Sequence, residues 1–142
     1  MALTTAYASG LLSLVDGTVD FETDGVYAVL LNGYTFSVAH NAYSDVSTDE
    51  LTDTDYDPVA LTGKSVALVG NDVLYDSDTI SFGDPVSIGP ADGIALIVGS
   101  AASPDAADQL LFYAPLNDVQ STDAVFQITT PEGIYQINHD AS

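Results

Sequence analysis

Cysteine, arginine and tryptophan are missing from this chain, and lysine is almost missing. The 142 residues contain no cysteine and no arginine, and Lys64 is the only lysine. Without cysteine, disulfides, thiolate zinc sites and cysteine nucleophiles are excluded. Neutralising a phosphate backbone requires lysine and arginine in number, and an anionic bilayer repels an acidic surface. We therefore expect neither nucleic acid nor membrane as a partner.

The charge that is present is almost entirely negative. Aspartate and glutamate number 21, which gives a formal net charge of -20, yet 46% of the residues are hydrophobic. Acidic disordered chains are poor in apolar residues, so this composition predicts a folded domain with an acidic surface. Abundant aspartate with almost no lysine resembles the surfaces of salt-adapted proteins. We expect a halophilic or marine source, and selection for solubility alone is the alternative.

Length and hydropathy predict one soluble domain. A chain of 142 residues is long enough to bury a core without a disulfide or metal staple. No basic segment followed by an apolar run begins the sequence, and no apolar stretch has the length of a membrane span. We expect the protein to be made and kept soluble.

Residues 1–17 predict a short N-terminal helix or arm. Apolar side chains recur at four-residue intervals, which is one face of a helix: Leu3, Tyr7, Leu11 and Val15. Gly10 weakens a helix, so an arm that orders only against a neighbour is the competing interpretation. Either form predicts a segment that seeks a partner surface.

Residues 18–142 predict a single, mainly β domain. Period-two alternation and β-branched runs, broken by Gly, Pro, Asn and Asp, indicate an antiparallel β-sandwich or small barrel. The apolar run between Gly93 and Gly99 predicts a central strand covered on both faces. The predicted strands are Val26–Leu31, Val59–Leu61, Ser65–Val69, Val73–Tyr75, Thr79–Phe82, Val86–Ile88, Ile94–Val98, Leu110–Ala114, Ala124–Thr129 and Ile134–Ile137. The predicted turns are Asn71-Asp72, Gly83-Asp84, Gly89-Pro90 and Pro131-Glu132-Gly133.

A long polar connection at residues 35–57 interrupts the strands. Connections of this length are usually functional or bound to a partner. A helical turn is expected around Tyr43 and Val46, and a second around Asp49-Glu50, capped by Ser47 or Thr48.

A calcium site is the first chemistry to weigh in this connection. Asp53, Asp55 and Asp57 match the opening of a calcium-binding loop, where alternate oxygens converge on one ion. The match then fails, because Pro58 stands where the loop needs glycine and Lys64 where it needs glutamate. A solvated acidic loop is the favoured interpretation, and calcium at an interface stays open.

Other catalytic patterns are weaker still. The two histidines, His40 and His139, stand far apart without cysteines to complete a zinc site. The sequence has no Gly-x-Ser-x-Gly elbow and no complete phosphate-binding loop. We expect no catalytic residue and no cofactor, and hence no enzyme.

Aromatic side chains are the candidates for an interface. Tyr34, Phe36, Tyr43 and Tyr56 flank or occupy the long connection, and aromatics are enriched at interfaces. The alternative is that they pin the connection to its own core. Together with Leu3, Tyr7 and Leu11 they form the candidate interface set. Lys64 is expected to form an internal ion pair.

Several short motifs follow one another in a recognisable order: Tyr43-Ser44-Asp45-Val46-Ser47, Glu50-Leu51, Asp55-Tyr56 and Val59-Ala60-Leu61-Thr62-Gly63-Lys64, then Leu110–Tyr113 and Phe126–Thr129. This series resembles a family of small tailed-phage virion proteins. The resemblance implies a structural protein of the head or of the neck and tail. With the acidity, it suggests a tailed virus of a halophilic or marine host.

The resemblance predicts a location in the virion after synthesis in the host cytoplasm. Our first hypothesis is a capsid decoration or cement protein, a homo-oligomer with a trimer favoured, that binds the major capsid protein on the outside of the icosahedral head. The alternatives are a ring-forming head-tail connector, neck or tail protein, and a receptor- or carbohydrate-binding β-module on a virion spike.

Overall fold

Eight strands and one α-helix make up the regular structure of the part that the computed structural model describes, residues 4–130 and 133–137. Their bounds are β1 Thr5–Ala6, α1 Ala8–Val15, β2 Val26–Leu31, β3 Val59–Ala60, β4 Ser65–Val69, β5 Asp72–Asp76, β6 Ile80–Val98, β7 Leu110–Ile128 and β8 Tyr135–Ile137. The mainly β prediction is confirmed, and β2 and β4 begin and end where the sequence predicts.

The strands form two antiparallel sheets. The larger sheet has the order β1-β7-β6-β2-β3, and the smaller has the order β4-β5-β8. Side chains from both sheets share one core, in which Leu30 and Phe112 of the larger sheet join Tyr75 of the smaller. The arrangement is that of a β-sandwich, and the sheets do not close into the small barrel that was the alternative.

Strands β6 and β7 are each 19 residues long, where the sequence predicts several short strands. The predicted turns at Gly83-Asp84 and Gly89-Pro90 are wrong, because both dipeptides lie inside β6 at shifts in its register with β7. Gly89 has a φ of 111°, and a Cβ there would lie 2.7 Å from the Val119 carbonyl oxygen. These glycines therefore allow the paired strands β6 and β7 to bend, and the chain does not reverse direction there.

The tight turn between β4 and β5 is Gly70-Asn71, one residue before the predicted position, since Val69 pairs with Asp72. In the predicted turn at Pro131-Glu132-Gly133, the first two residues lie outside the described part.

Helix α1 packs on the larger sheet through its smallest residues. Gly10 and Ser13 are buried, and an ideal Cβ on Gly10 would lie 2.2 Å from the Leu110 carbonyl oxygen. The predicted partner-seeking face is divided, because Tyr7 is buried in the fold whereas Val15 is 68% exposed. Leu3, the first member of that face, lies outside the described residues. Close approach of helix to sheet, rather than apolar periodicity, decides which way this helix faces.

The larger sheet is covered on both faces. Residues 94–97 of β6 and all of β2 are buried, which confirms the predicted central strand. One face packs on the smaller sheet. The other face packs on Tyr7, which precedes α1, and on the long connection through Tyr34 and Val46. The connection is therefore a layer of the fold.

Candidate functional site

The long connection is fastened to the larger sheet by backbone hydrogen bonds. Leu51 donates to the Leu30 carbonyl oxygen over 3.0 Å, and Tyr43 donates to that of Asp108 over 2.8 Å. Two 3₁₀ turns, Tyr43–Asp45 and Ser47–Asp49, lie in this segment, where helical turns were predicted. The predicted cap is wrong, because Ser47 and Thr48 lie inside the second turn and its N-cap is Val46, which makes no side-chain hydrogen bond.

A carboxylate between two tyrosines anchors the same segment. The hydroxyls of Tyr43 and Tyr56 donate to the two carboxylate oxygens of Glu50, and Tyr56 also accepts the Leu30 N–H at 3.1 Å. Burial raises the pKa of both tyrosines above the ordinary value, and the neighbouring Glu50 raises each pKa further. Both hydroxyls are therefore held neutral as donors to Glu50.

A second polar chain lies under the start of the connection. The Tyr34 hydroxyl lies 3.1 Å from the Tyr7 hydroxyl and 2.6 Å from His40 Nδ1. Phe36 stacks on Tyr113 with ring centroids 5.3 Å apart. These contacts join the connection, the approach to α1 and β7 into one packed unit.

The structure places the candidate interface aromatics inside the monomer. Tyr7, Tyr34 and Tyr56 are buried, while Phe36 and Tyr43 are half-buried. Their rings and hydroxyls are used by the contacts described above, so the interface interpretation is corrected for the three buried tyrosines. Leu11 is half-buried on α1.

The aspartates of the candidate calcium loop have a structural task. Asp53 accepts the Gly89 N–H at 3.1 Å, and Asp55, which is exposed like Asp57, accepts the Ser87 N–H at 2.8 Å. Among the described residues, no group of three His, Asp or Glu side chains is placed to hold a metal ion. Two of the three aspartates thus tie the connection to the irregular part of β6.

Lys64 also differs from expectation. Its ammonium donates to the backbone carbonyl of Asp24 and lies 5.9 Å from the centroid of the Phe21 ring, within cation–π range. A carbonyl and a ring therefore take the place of the expected carboxylate. His40 is half-buried at the end of the tyrosine chain, and His139 lies outside the described residues.

The outward face of α1 is the feature that the sequence analysis missed. Leu12 is 62% exposed and Val15 68%, with Ala8 exposed beside them and Leu11 half-buried. No residue before Asp16 carries a charged side chain. The available signal was the pair of small residues Gly10 and Ser13, three positions apart, which marks the side of a helix that touches another backbone. We call Ala8, Leu11, Leu12 and Val15 the outer face of α1.

A second apolar surface lies at β4. Leu68 is 75% exposed, Ala67 and Val69 are also exposed, and residues 58–71 contain no carboxylate. Strand β4 is at one edge of the smaller sheet. Exposed apolar edge strands are places where another chain can add.

A small cavity of about 50 Å³ is lined by side chains such as Ile94, Leu96, Ile128 and Ile134, and none of its lining residues is titratable.

No helix among the described residues has the length and apolar character to cross a membrane. Comparisons with protein-family models, with curated proteins and with solved structures found no match to this chain.

Proposed function

We propose that this protein is a non-enzymatic structural component of a tailed-virus particle, a decoration protein that docks as a homo-oligomer on the outside of the head and bridges neighbouring major capsid subunits. The outer face of α1 is the observation that carries the proposal. In a chain of net charge -20, a helix presents Leu12 and Val15 to solvent and carries no charge of its own. Contiguous exposed apolar surface marks an interaction site.

The energy available from this face fits reversible docking of many copies. Burying one leucine or valine completely contributes about 1.5–3 kcal/mol. Two such side chains per copy give weak attachment for one protein and strong attachment for an oligomer whose copies bind together. The carboxylates outside this face keep free copies apart in solution, and molar salt screens them.

A ring-forming connector or tail protein is the second candidate. The open edge of β4 favours it, because the next subunit of a ring can add a strand there. The carbohydrate-binding alternative depends on Tyr34, Tyr43 and Tyr56, and their hydroxyls are engaged in bonds within the monomer. We therefore do not pursue it.

Molar mass and particle location test the proposal together. A decoration protein should be a small oligomer or monomer by light scattering from about 0.1 to 2 M salt, and antibody labelling should place it over the head surface. A closed ring of six or more copies with label at the neck would replace decoration with the connector. Absence from purified particles would refute both.

If the host lives at high salt, as proposed, the stability of the protein should depend on salt concentration. Screening lengths fall from about 10 Å at 0.1 M salt to about 3 Å at 1 M, so repulsion among the carboxylates should weaken. We expect Tm to rise steeply over this range. An unchanged Tm would refute salt adaptation without touching the docking surface.

A further inference from the structure

The open side of β4 is a row of backbone groups available to an added strand. The Val66 N–H points away from β5, because Glu22 Oε2 accepts it at 3.3 Å. N–H and carbonyl groups of one strand residue share a side and alternate along the strand, so those of Leu68 face the same open side. Strand β4 has five residues, whereas the other edge strands described, β1, β3 and β8, have two or three.

An open cleft lies beside this edge. It has a volume of about 300 Å³ and runs between the end of α1 and the smaller sheet. Its apolar lining comes from Leu14, Val19, Phe21, Val66 and Tyr75. Val66 belongs both to the strand edge and to the cleft wall. A strand added to β4 can therefore place a side chain in the cleft.

The rim of the cleft is acidic. Asp20 lines it, and Glu22 and Asp24 lie in the same turn, with Asp16 at the end of α1. The Lys64 ammonium lies at the same turn, 5.9 Å from the centroid of the Phe21 ring, so these four carboxylates are opposed by one cation and the rim is acidic in net charge. Backbone and side-chain hydrogen bonds from Thr18 lower the pKa of Asp16, so that carboxylate stays charged. An apolar cleft with an anionic rim selects an occupant that is apolar and positively charged.

A second copy of this chain cannot supply that charge. Lys64 is its only lysine or arginine, and its ammonium is already engaged by the Asp24 carbonyl oxygen. Two copies would also bring two acidic rims together. The occupant is therefore a segment of another protein.

We propose that the β4 edge and the adjoining cleft bind an extended segment of a partner protein, in which apolar residues alternate with lysine or arginine, as a fourth strand of the smaller sheet. Within the decoration hypothesis, on which this inference rests, the segment belongs to the capsid protein. In the structure Glu22 accepts a hydrogen bond from the Val66 N–H. On binding, the Glu22 side chain would move away, and a backbone carbonyl oxygen of the incoming strand would accept this N–H instead.

A designed peptide tests the surface directly. The probe is an eight-residue peptide of alternating lysine and valine, and the readout is its affinity together with backbone amide shifts of the full chain. We expect shifts at residues 66–69 and around the cleft. A peptide of equal charge with proline in place of valine should bind about tenfold more weakly, because proline has no backbone N–H to donate to the carbonyl groups of β4. A glutamate–valine peptide should not bind.

Two variants locate the contact. Leu68→Pro removes an N–H on the open side while leaving the β4–β5 bonds in place, and should weaken the lysine–valine peptide about tenfold. Glu22→Lys changes an exposed rim charge and should reduce binding of the same peptide while improving that of the glutamate–valine peptide. Val125→Gln, an exposed strand residue elsewhere, is the matched control and should bind as wild type.

The outcomes separate this inference from the proposed function. Equal affinity of wild type, Leu68→Pro and Glu22→Lys for the lysine–valine peptide, or shifts away from β4, would overturn the strand site. Heads that bind wild type and Leu68→Pro equally would overturn it as the capsid contact and leave decoration standing. Peptide binding at β4 by a protein that binds no heads would support the site and refute decoration.

Discussion

Helix α1 and the connection at residues 35–57 both pack on the larger sheet, but they attach to it in opposite ways. The connection uses polar groups, including the two hydroxyls that meet Glu50 and the N–H groups that meet Asp53 and Asp55. The helix uses close backbone contact at Gly10 and leaves its larger side chains outside. The connection uses its polar groups for contacts within the fold, whereas the helix leaves the apolar side chains of Leu12 and Val15 exposed.

High pH should disrupt the tyrosine contacts that hold the connection to the larger sheet, and this is the largest effect that we expect. Burial raises the pKa of Tyr7, Tyr27, Tyr43 and Tyr56 above the ordinary value of 10.0. The unfolded chain ionises these tyrosines near pH 10 while the folded protein keeps them neutral, so their contribution is complete below pH 10 and is lost above it. We expect cooperative unfolding between about pH 10 and 12. Tyrosinate absorbance should rise with loss of circular dichroism, and buried tyrosines that ionise in a still-folded protein would contradict this.

Adding one methyl group at Gly10 should disrupt the packing of α1 on the larger sheet. Gly10→Ala places a Cβ against the backbone of Leu110, which cannot move without disturbing β7. We expect the free energy of unfolding in urea to fall by about 3 kcal/mol. Leu12→Ala, on the outer face of the same helix, should change it by less than about 0.5 kcal/mol. Equal effects at the two positions would show that the helix is not oriented as described.

Removing the charge of Glu50 should loosen the connection alone. Glu50→Gln retains the shape but accepts only one of the two tyrosine hydroxyls well, and we expect a loss of about 2 kcal/mol in urea unfolding. Amide exchange should accelerate in residues 43–56 before it does in α1. Glu22→Gln, at an exposed glutamate, serves as the control, and a loss as large as that of Glu50→Gln would argue against the anchor.

The smallest effect is expected within the aspartate triplet. Asp55→Asn weakens one bond to the Ser87 N–H and should cost about 1 kcal/mol, whereas Asp57→Asn should be neutral. Thermal melts with and without calcium add a second comparison. A calcium-dependent rise in Tm that both substitutions abolish would restore the metal site.

Some strands were predictable from β-branched and apolar runs that end at turn residues, and Val26–Leu31 and Ser65–Val69 agree in both bounds with the structure. Alternation does not explain this agreement, because every residue of β2 is buried and the burial of β4 does not alternate. The continuity of β6 was not predictable, because Gly83-Asp84 and Gly89-Pro90 have the composition of turns. Only pairing with β7 shows that they are irregularities within a strand.

The sequence predicts which segment carries the candidate docking surface, but not which face of α1 forms it. Residues 1–17 were identified as partner-seeking from their apolar content, but apolar periodicity groups the exposed Val15 with the buried Tyr7 and omits the exposed Leu12. Likewise, the sequence leaves open whether Tyr34 and Tyr56 form an interface or pin the connection to its own core, and the structure shows the second. The deciding contacts include Tyr7 with Tyr34 and Tyr56 with Leu30, which join residues far apart in sequence. Tertiary hydrogen bonding decides between an exposed aromatic and a buried one.

Under the proposed function, binding of the purified protein to tailed-virus heads tests the central claim, that the outer face of α1 is a docking surface. Deleting residues 2–15 would also remove β1 and the buried Tyr7, so a Leu12→Gln/Val15→Gln double variant is the cleaner probe. Co-sedimentation should show affinity about a hundredfold below wild type with little change in Tm, while Val125→Gln binds normally. A double variant that binds heads as tightly as wild type would contradict the account.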